Sequence, residues 1–170
     1  MDSVAGIMSE FDLDRGSVCL EITESVVVKD IEAARVTLAG LKAVGVQVAI
    51  DDFGTGYSAL SQLKSLPVDT LKIDKGFVRE LGTDPGDLAI VRAIIALAEA
   101  FDLELVAEGV ETEAAALTLL RHGCHRAQLR NASARMPSAP RTADGEVRLP
   151  ATPDDEGLRA PSPAASVVSQ

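Results

Sequence analysis

The sequence predicts an α/β fold, a partial (β/α)8 barrel, from three observations. Short β-branched apolar runs alternate with helical stripes along residues 1–128. Each run ends at or near a charged cluster: Glu21-Ile-Thr-Glu24, Asp51-Asp52-Phe-Gly54, Leu71-Lys72-Ile-Asp74 and Ala107-Glu108-Gly-Val-Glu111. The clusters recur at the interval of one strand plus one returning helix, about 30 residues. Charges would then stand at the carboxyl ends of parallel strands, the face on which such barrels build their sites.

The elements follow in order. Residues 1–16 read as the end of a helix and a turn. Val18–Thr23 is the first predicted strand. Asp30 can cap a helix whose apolar residues, Ile31, Ala34, Leu38 and Leu41, step by three and four. Gly45 ends it, and Val46–Ile50 is a second strand, apolar throughout as expected when both faces are covered. Gly54 and Gly56 make a loop; Ser58 can cap a helix carrying Leu60, Leu63 and Leu66. Val68–Ile73 is the third strand. A longer helix begins at Asp84-Pro85, where proline suits the first turn. Leu103–Ala107 is the fourth strand, Glu111–His122 the last helix, and His125–Gln128 the start of a fifth strand, giving four to five βα units.

Residues 129–170 differ. They hold six of the eight prolines and no aromatic residue. Such sequence buries too little apolar area to offset chain entropy, so it predicts a disordered tail. The expected domain is therefore 1–128, with 129–170 as tail.

Composition bounds the function. Of 170 residues, 46% are hydrophobic and only 3% aromatic, so the core rests on aliphatic side chains. The net charge of −10 argues against a nucleic-acid polymer as partner. No apolar run approaches the ~20 residues of a membrane span, and no secretory signal opens the chain. Cys19 and Cys124 lack metal-ligand spacing and read as packing residues, Cys19 on a buried strand. A cytoplasmic setting is expected.

Strand parity predicts which charges meet. Glu21 shares a face with Thr23, while Glu24 takes the other. Asp51 aligns with Ala49, Lys72 with Thr70 and Glu108 with Val106; Asp52 lies at the strand–loop junction. Glu21, Asp51, Lys72 and Glu108 can thus converge. Carboxylates so placed repel unless a cation lies between them. All-oxygen ligation selects Mg²⁺ or Mn²⁺. A two-metal site of this kind can activate water and clamp a phosphoryl group.

These motifs resemble the EAL family of bacterial cyclic-di-GMP phosphodiesterases. The likeness runs from Gly16 to Gln128 through Leu20-Glu-Ile-Thr-Glu-Ser25, Ile50-Asp-Asp-Phe-Gly-Thr-Gly-Tyr-Ser58, Leu71-Lys-Ile-Asp74, Val106-Ala-Glu-Gly-Val-Glu-Thr112 and Gly123-Cys-His-Arg-Ala-Gln128. The resemblance implies a modified (β/α)8 barrel and metal-dependent opening of cyclic di-GMP to pGpG. It implies metal ligation by Glu21, Asp51, Asp52 and Glu108. Lys72 would orient or activate the attacking water, and Gln128 would support the water and metals. Glu24 would anchor the Asp52–Tyr57 loop, which in the family links metal binding to dimer contacts. Asp74 and Glu111 match as supporting positions.

The chain also departs from the family. It contains no Glu-Ala-Leu triplet, and its sole asparagine is Asn131, in the tail. The family pattern stops at Gln128, which suggests a frameshift or gene break behind residues 129–170. The expectation is a truncated module, weakly active or inactive alone, with a homodimer through Asp52–Leu66 or a complementing amino-terminal half as partner. An alternative is a degenerate, non-catalytic module acting through protein contacts. A metal-using barrel of another kind, such as an enolase-like one, fits the Asp51–Ser58 string poorly.

Overall fold

The computed structural model describes residues 2–56, 63–129 and 146–149. After α1 (Asp2–Glu10), five parallel strands lie side by side in chain order: β1 (Cys19–Thr23), β2 (Gln47–Phe53), β3 (Thr70–Ile73), β4 (Glu104–Val110) and β5 (Arg126–Leu129). Between them run α2 (Glu24–Lys29), α3 (Ile31–Ala43), α4 (Lys75–Arg79), α5 (Pro85–Ala100) and α6 (Glu113–Arg121). Neighbouring strands are consecutive in sequence, with described helices between β1 and β2, β3 and β4, and β4 and β5, and form a segment of a (β/α)8 barrel. A sixth strand, β6 (Glu146–Arg148), pairs antiparallel with β5.

The helices start where local chemistry supplies a cap. Asp30 accepts from Ala33 N at 3.0 Å, Asp84 from Gly86 N at 2.7 Å and Thr112 from Ala115 N at 3.1 Å. Each satisfies an amide that the first helical turn leaves without a partner. Asp74 does the same for α4 through Gly76 N at 2.8 Å. The two short helices α2 and α4 were not expected. Each has fewer than two turns, too little sequence for an apolar stripe to register.

The sheet has two unlike faces. Val48, Ile50, Leu71, Ile73, Ala107 and Ala127 join a core with helix residues Leu38, Leu41, Val91, Ile95, Ala116 and Leu119. Register puts the polar set on the other face. Glu21 pairs with Ala49, Ala49 with Thr70, Lys72 with Val106 and Glu108 with Gln128. Paired residues of parallel strands share a face, so alternation carries Asp51, Lys72 and Glu108 to the same side as Glu21 and Gln128.

Two differences from expectation matter for the site. β2 and β4 extend to Phe53 and Val110, beyond the predicted ends at Ile50 and Ala107. Both extensions contain bulges: Ile50 pairs with Leu71 but Phe53 with Ile73, and Glu108 pairs with Gln128 but Val110 with Leu129. One extra residue per strand reverses the alternation. Phe53 and Val110 therefore return to the core, 4% and 0% exposed, while acidic residues stay at the rim. Cys19, expected to be buried, is exposed at the start of β1; Cys124 is buried.

The predicted helix around Ser58 and Leu60 lies outside the described residues for 57–62. Most of the predicted tail does too. Its described residues are Leu129, which ends β5, and 146–149, which form β6 and the residue after it, with Val147 and Leu149 each 2% exposed. Three strand residues are too few to show a period in the sequence. Among the described residues, no helix is long and apolar enough to cross a membrane.

Candidate metal and phosphoryl site

Lys72 is the centre of the polar face. Its side chain is 4% exposed, and its Nζ lies 2.8 Å from Glu21 Oε1, 3.4 Å from Asp51 Oδ1 and 2.5 Å from Glu108 Oε1. Four strands contribute one group each. Glu21 is two strands from Lys72, so the contact spans the polar face across β2.

Burial disfavours the ammonium, but hydrogen bonds to Glu108 and Glu21 and the charge of Asp51 outweigh it; the Lys72 pKa rises above its ordinary value. Lys72 is thereby held as a cation and hydrogen-bond donor among the three acids. Glu108 moves up as well. Burial is the main cause, the charges of Asp51 and Glu21 add to it, and Lys72 opposes it.

Asp52 belongs to a second layer of the same cluster. The β2 bulge gives it φ +53°, a left-handed conformation that Asp tolerates better than most residues. Its backbone N–H donates to Asp51 Oδ1 at 3.0 Å, which fixes the Asp51 carboxylate. The Asp52 pKa is raised, first by burial, then by a side-chain hydrogen bond with Asp74 and the charge of Asp51.

Carboxylate oxygens of Asp51, Asp52 and Glu108 all lie within 4.8 Å of one another. The donor set is three hard oxygens with excess negative charge. It fits Mg²⁺ or Mn²⁺ and does not suit a soft ion. Gln128 holds the register position beside Glu108 on the next strand.

Glu24 is the loop contact. It opens α2, so it is not on the far face of β1 as strand parity predicts. Its residue is 4% exposed, and Oε2 accepts from Gly54 N and Gly56 N, both at 3.2 Å. The fit is close: a Cβ on Gly56 would stand 2.9 Å from Glu24 Cδ. Tyr57, the expected far end of this loop, lies outside the described residues.

Sequence reasoning missed Gly109. It is the extra residue of the β4 bulge, with φ +65°, and a Cβ there would meet Lys75 Cβ at 2.7 Å. A glycine inside a strand pattern is the available signal for such a bulge. Glu111, expected to begin the last helix, precedes the Thr112 cap.

Residues 1–128 match the EAL domain family. The crystal structure of the EAL domain of Mycobacterium smegmatis DcpA is 80% identical with a TM-score of 0.71, covering 75% of this chain and 57% of that one. Klebsiella pneumoniae BlrP1, in a manganese/cyclic-di-GMP complex at pH 9.0, is 33% identical with a TM-score of 0.70, covering 76% and 34%. MucR of Pseudomonas aeruginosa, a bifunctional diguanylate cyclase/cyclic di-GMP phosphodiesterase, is 49% identical over 128 residues, 75% of this chain and 19% of MucR. The chain spans about a fifth of the length of the curated relatives it matches.

Proposed function

Because this chain belongs to the EAL domain family, we propose that its polar rim is the carboxyl-side part of a cyclic-di-GMP phosphodiesterase site. The carrying observation is the Lys72 ammonium held among Glu21, Asp51 and Glu108, with Asp52 completing an all-oxygen ligand group. Asp51, Asp52 and Glu108 would hold one divalent cation, and Glu21 would share another with Asp51. Bound Mg²⁺ or Mn²⁺ supplies the electrophilic charge that activates water and steadies phosphoryl oxygens.

The side chains set the rest. Lys72, kept protonated, donates a hydrogen bond that orients the attacking water or neutralises a phosphate oxygen. Asp51 is held in place by the Asp52 amide, so a ligand oxygen is fixed before a cation arrives. Glu24 holds the Gly54–Gly56 loop beside these acids. Gln128, paired to Glu108, supports the same water.

The 170 residues contain no Glu-Ala-Leu string. We infer that this chain binds Mn²⁺ and cyclic di-GMP but turns the nucleotide over weakly on its own. Calorimetry with Mn²⁺, then cyclic di-GMP, tests the site; chromatography for pGpG tests turnover. Mn²⁺-dependent nucleotide binding is expected, with little pGpG until a polypeptide carrying a Glu-Ala-Leu strand is added. No Mn²⁺-dependent binding would overturn the site reading, and brisk turnover by the chain alone would overturn the second inference.

A further inference from the structure

The outer edge of β5 is covered by an element unlike the rest of the sheet. β6 is antiparallel in an otherwise parallel array, and its register sets Arg126 against Arg148, Ala127 against Val147 and Gln128 against Glu146. The Leu149 N–H continues the pairing to His125 O at 2.9 Å. Val147 and Leu149 are each 2% exposed, and Leu149 joins the main core beside Cys124 and Ala127. These are not the contacts of a strand resting loosely on a surface.

Among the described residues the sheet ends with β6. β6 has three residues, two of them charged, and the sequence runs directly into Leu149-Pro150. Short length, charge and proline are the devices that make a strand edge a poor template. Bare β5 would instead offer a row of backbone donors and acceptors next to apolar side chains, which is a template for another chain. Only 16 residues separate the two strands in sequence, and the entropy of bringing two chain segments together grows only slowly with their separation.

We propose that residues 146–149 are an intramolecular edge guard, which keeps β5 from pairing with a second copy of this chain. The guard explains why a Pro-rich segment contributes two buried side chains to the fold.

The test uses the full chain. Val147→Asp places a charge at a buried position and should release β6. Light scattering should then report dimers and larger species that grow with concentration, while the parent chain stays monomeric. Amide exchange at 126–128 should speed at least tenfold, with β2 and β3 protection retained. Leu149→Ala, which only trims a side chain, should give a smaller concentration-dependent dimer fraction if Val147→Asp unfolds the chain. Ala127→Cys/Val147→Cys, oxidised and mapped by peptide mass spectrometry, should link within one chain and remain monomeric. The proposal is overturned if the released variants stay monomeric, or if the paired cysteines link only between chains or not at all.

Discussion

Two lysines sit at opposite ends of the same sheet in different company. At the amino end, Lys42 pairs with Asp69, whose second oxygen accepts from Val48 N at 2.8 Å. One cation meets one acid, and the acid's remaining valence goes to backbone. At the carboxyl end, buried Lys72 faces Glu21, Asp51 and Glu108, with Asp52 close to two of them. One positive charge against three negative leaves two uncompensated, before Asp52 is counted. The first arrangement ties α3 to the segment entering β3. The second is left electrostatically unbalanced, and under the proposed function a divalent cation would complete it. Charge balance, not charge itself, separates a structural tie from a candidate site.

The largest break in that comparison is expected from ligand removal. Asp51→Asn should weaken Mn²⁺ binding by at least the ~10–100-fold that loss of a supporting group costs a metal site. Asp69→Asn should leave Mn²⁺ affinity unchanged. Calorimetry on both variants decides; equal losses would mean that Mn²⁺ reads overall acidity and not the rim.

Proton competition sharpens the same point. The Glu108 pKa is raised from 4.5, chiefly by burial, and Asp52 is raised too. A carboxyl whose folded pKa is raised contributes stability below its unfolded value, and that contribution is lost as pH rises through the folded value. In chelator the chain should therefore lose stability as pH rises, once Glu108 ionises above 4.5 and Asp52 above 3.8. Ligation needs the ionised form, so Mn²⁺ affinity should increase over that same rise and binding should release protons. Melting with and without Mn²⁺ at about pH 5 and pH 8 checks this: the Mn²⁺-induced shift should be larger at the higher pH. A larger shift at the lower pH would contradict it.

What the sequence made legible follows from period and spacing. Strand alternation placed Glu21, Asp51, Lys72 and Glu108 on one face because that depends only on counting by two. The cap at Asp30 and the helix start at Asp84-Pro85 were legible because each precedes a long apolar stripe. The bulges were not, since an extra residue reverses parity without a strong local signature. For that reason the rim appeared as strand ends at Ile50 and Ala107, whereas Asp51, Asp52 and Glu108 lie inside longer, kinked strands. Glu24 was misplaced for a related reason: a six-residue helix begins where the strand count was still running. β6 escaped because three strand residues are too few to show a period.

The Glu24 contact tests the bridge between site and loop. Glu24→Gln keeps the shape but replaces charge-assisted bonds to Gly54 N and Gly56 N, which should cost about 1–2 kcal/mol. Gly56→Ala should cost about 1–3 kcal/mol, because its Cβ would press on buried Glu24. Denaturant melts of both, with amide exchange at residues 54–56, check this. Wild-type protection in both variants would remove Glu24 from its anchoring role.

The smallest effects carry the comparison's sign. Asp69→Asn should destabilise by roughly 1 kcal/mol, since the pair with Lys42 is partly exposed and only the bond to Val48 is well shielded. Asp52→Asn should do the reverse in the ion-free chain. It removes a carboxylate whose charge is disfavoured by burial, by Asp74 and by Asp51, and Asn accepts the left-handed φ of +53°. Solvent at the rim limits the gain to below about 1 kcal/mol. Paired melts in chelator at neutral pH should therefore move in opposite directions, and adding Mn²⁺ should erase the advantage of Asp52→Asn, because the carboxylate disfavoured at the rim is one that a bound cation would use. A destabilised Asp52→Asn in chelator would place that residue with Asp69, among the acids that hold the fold.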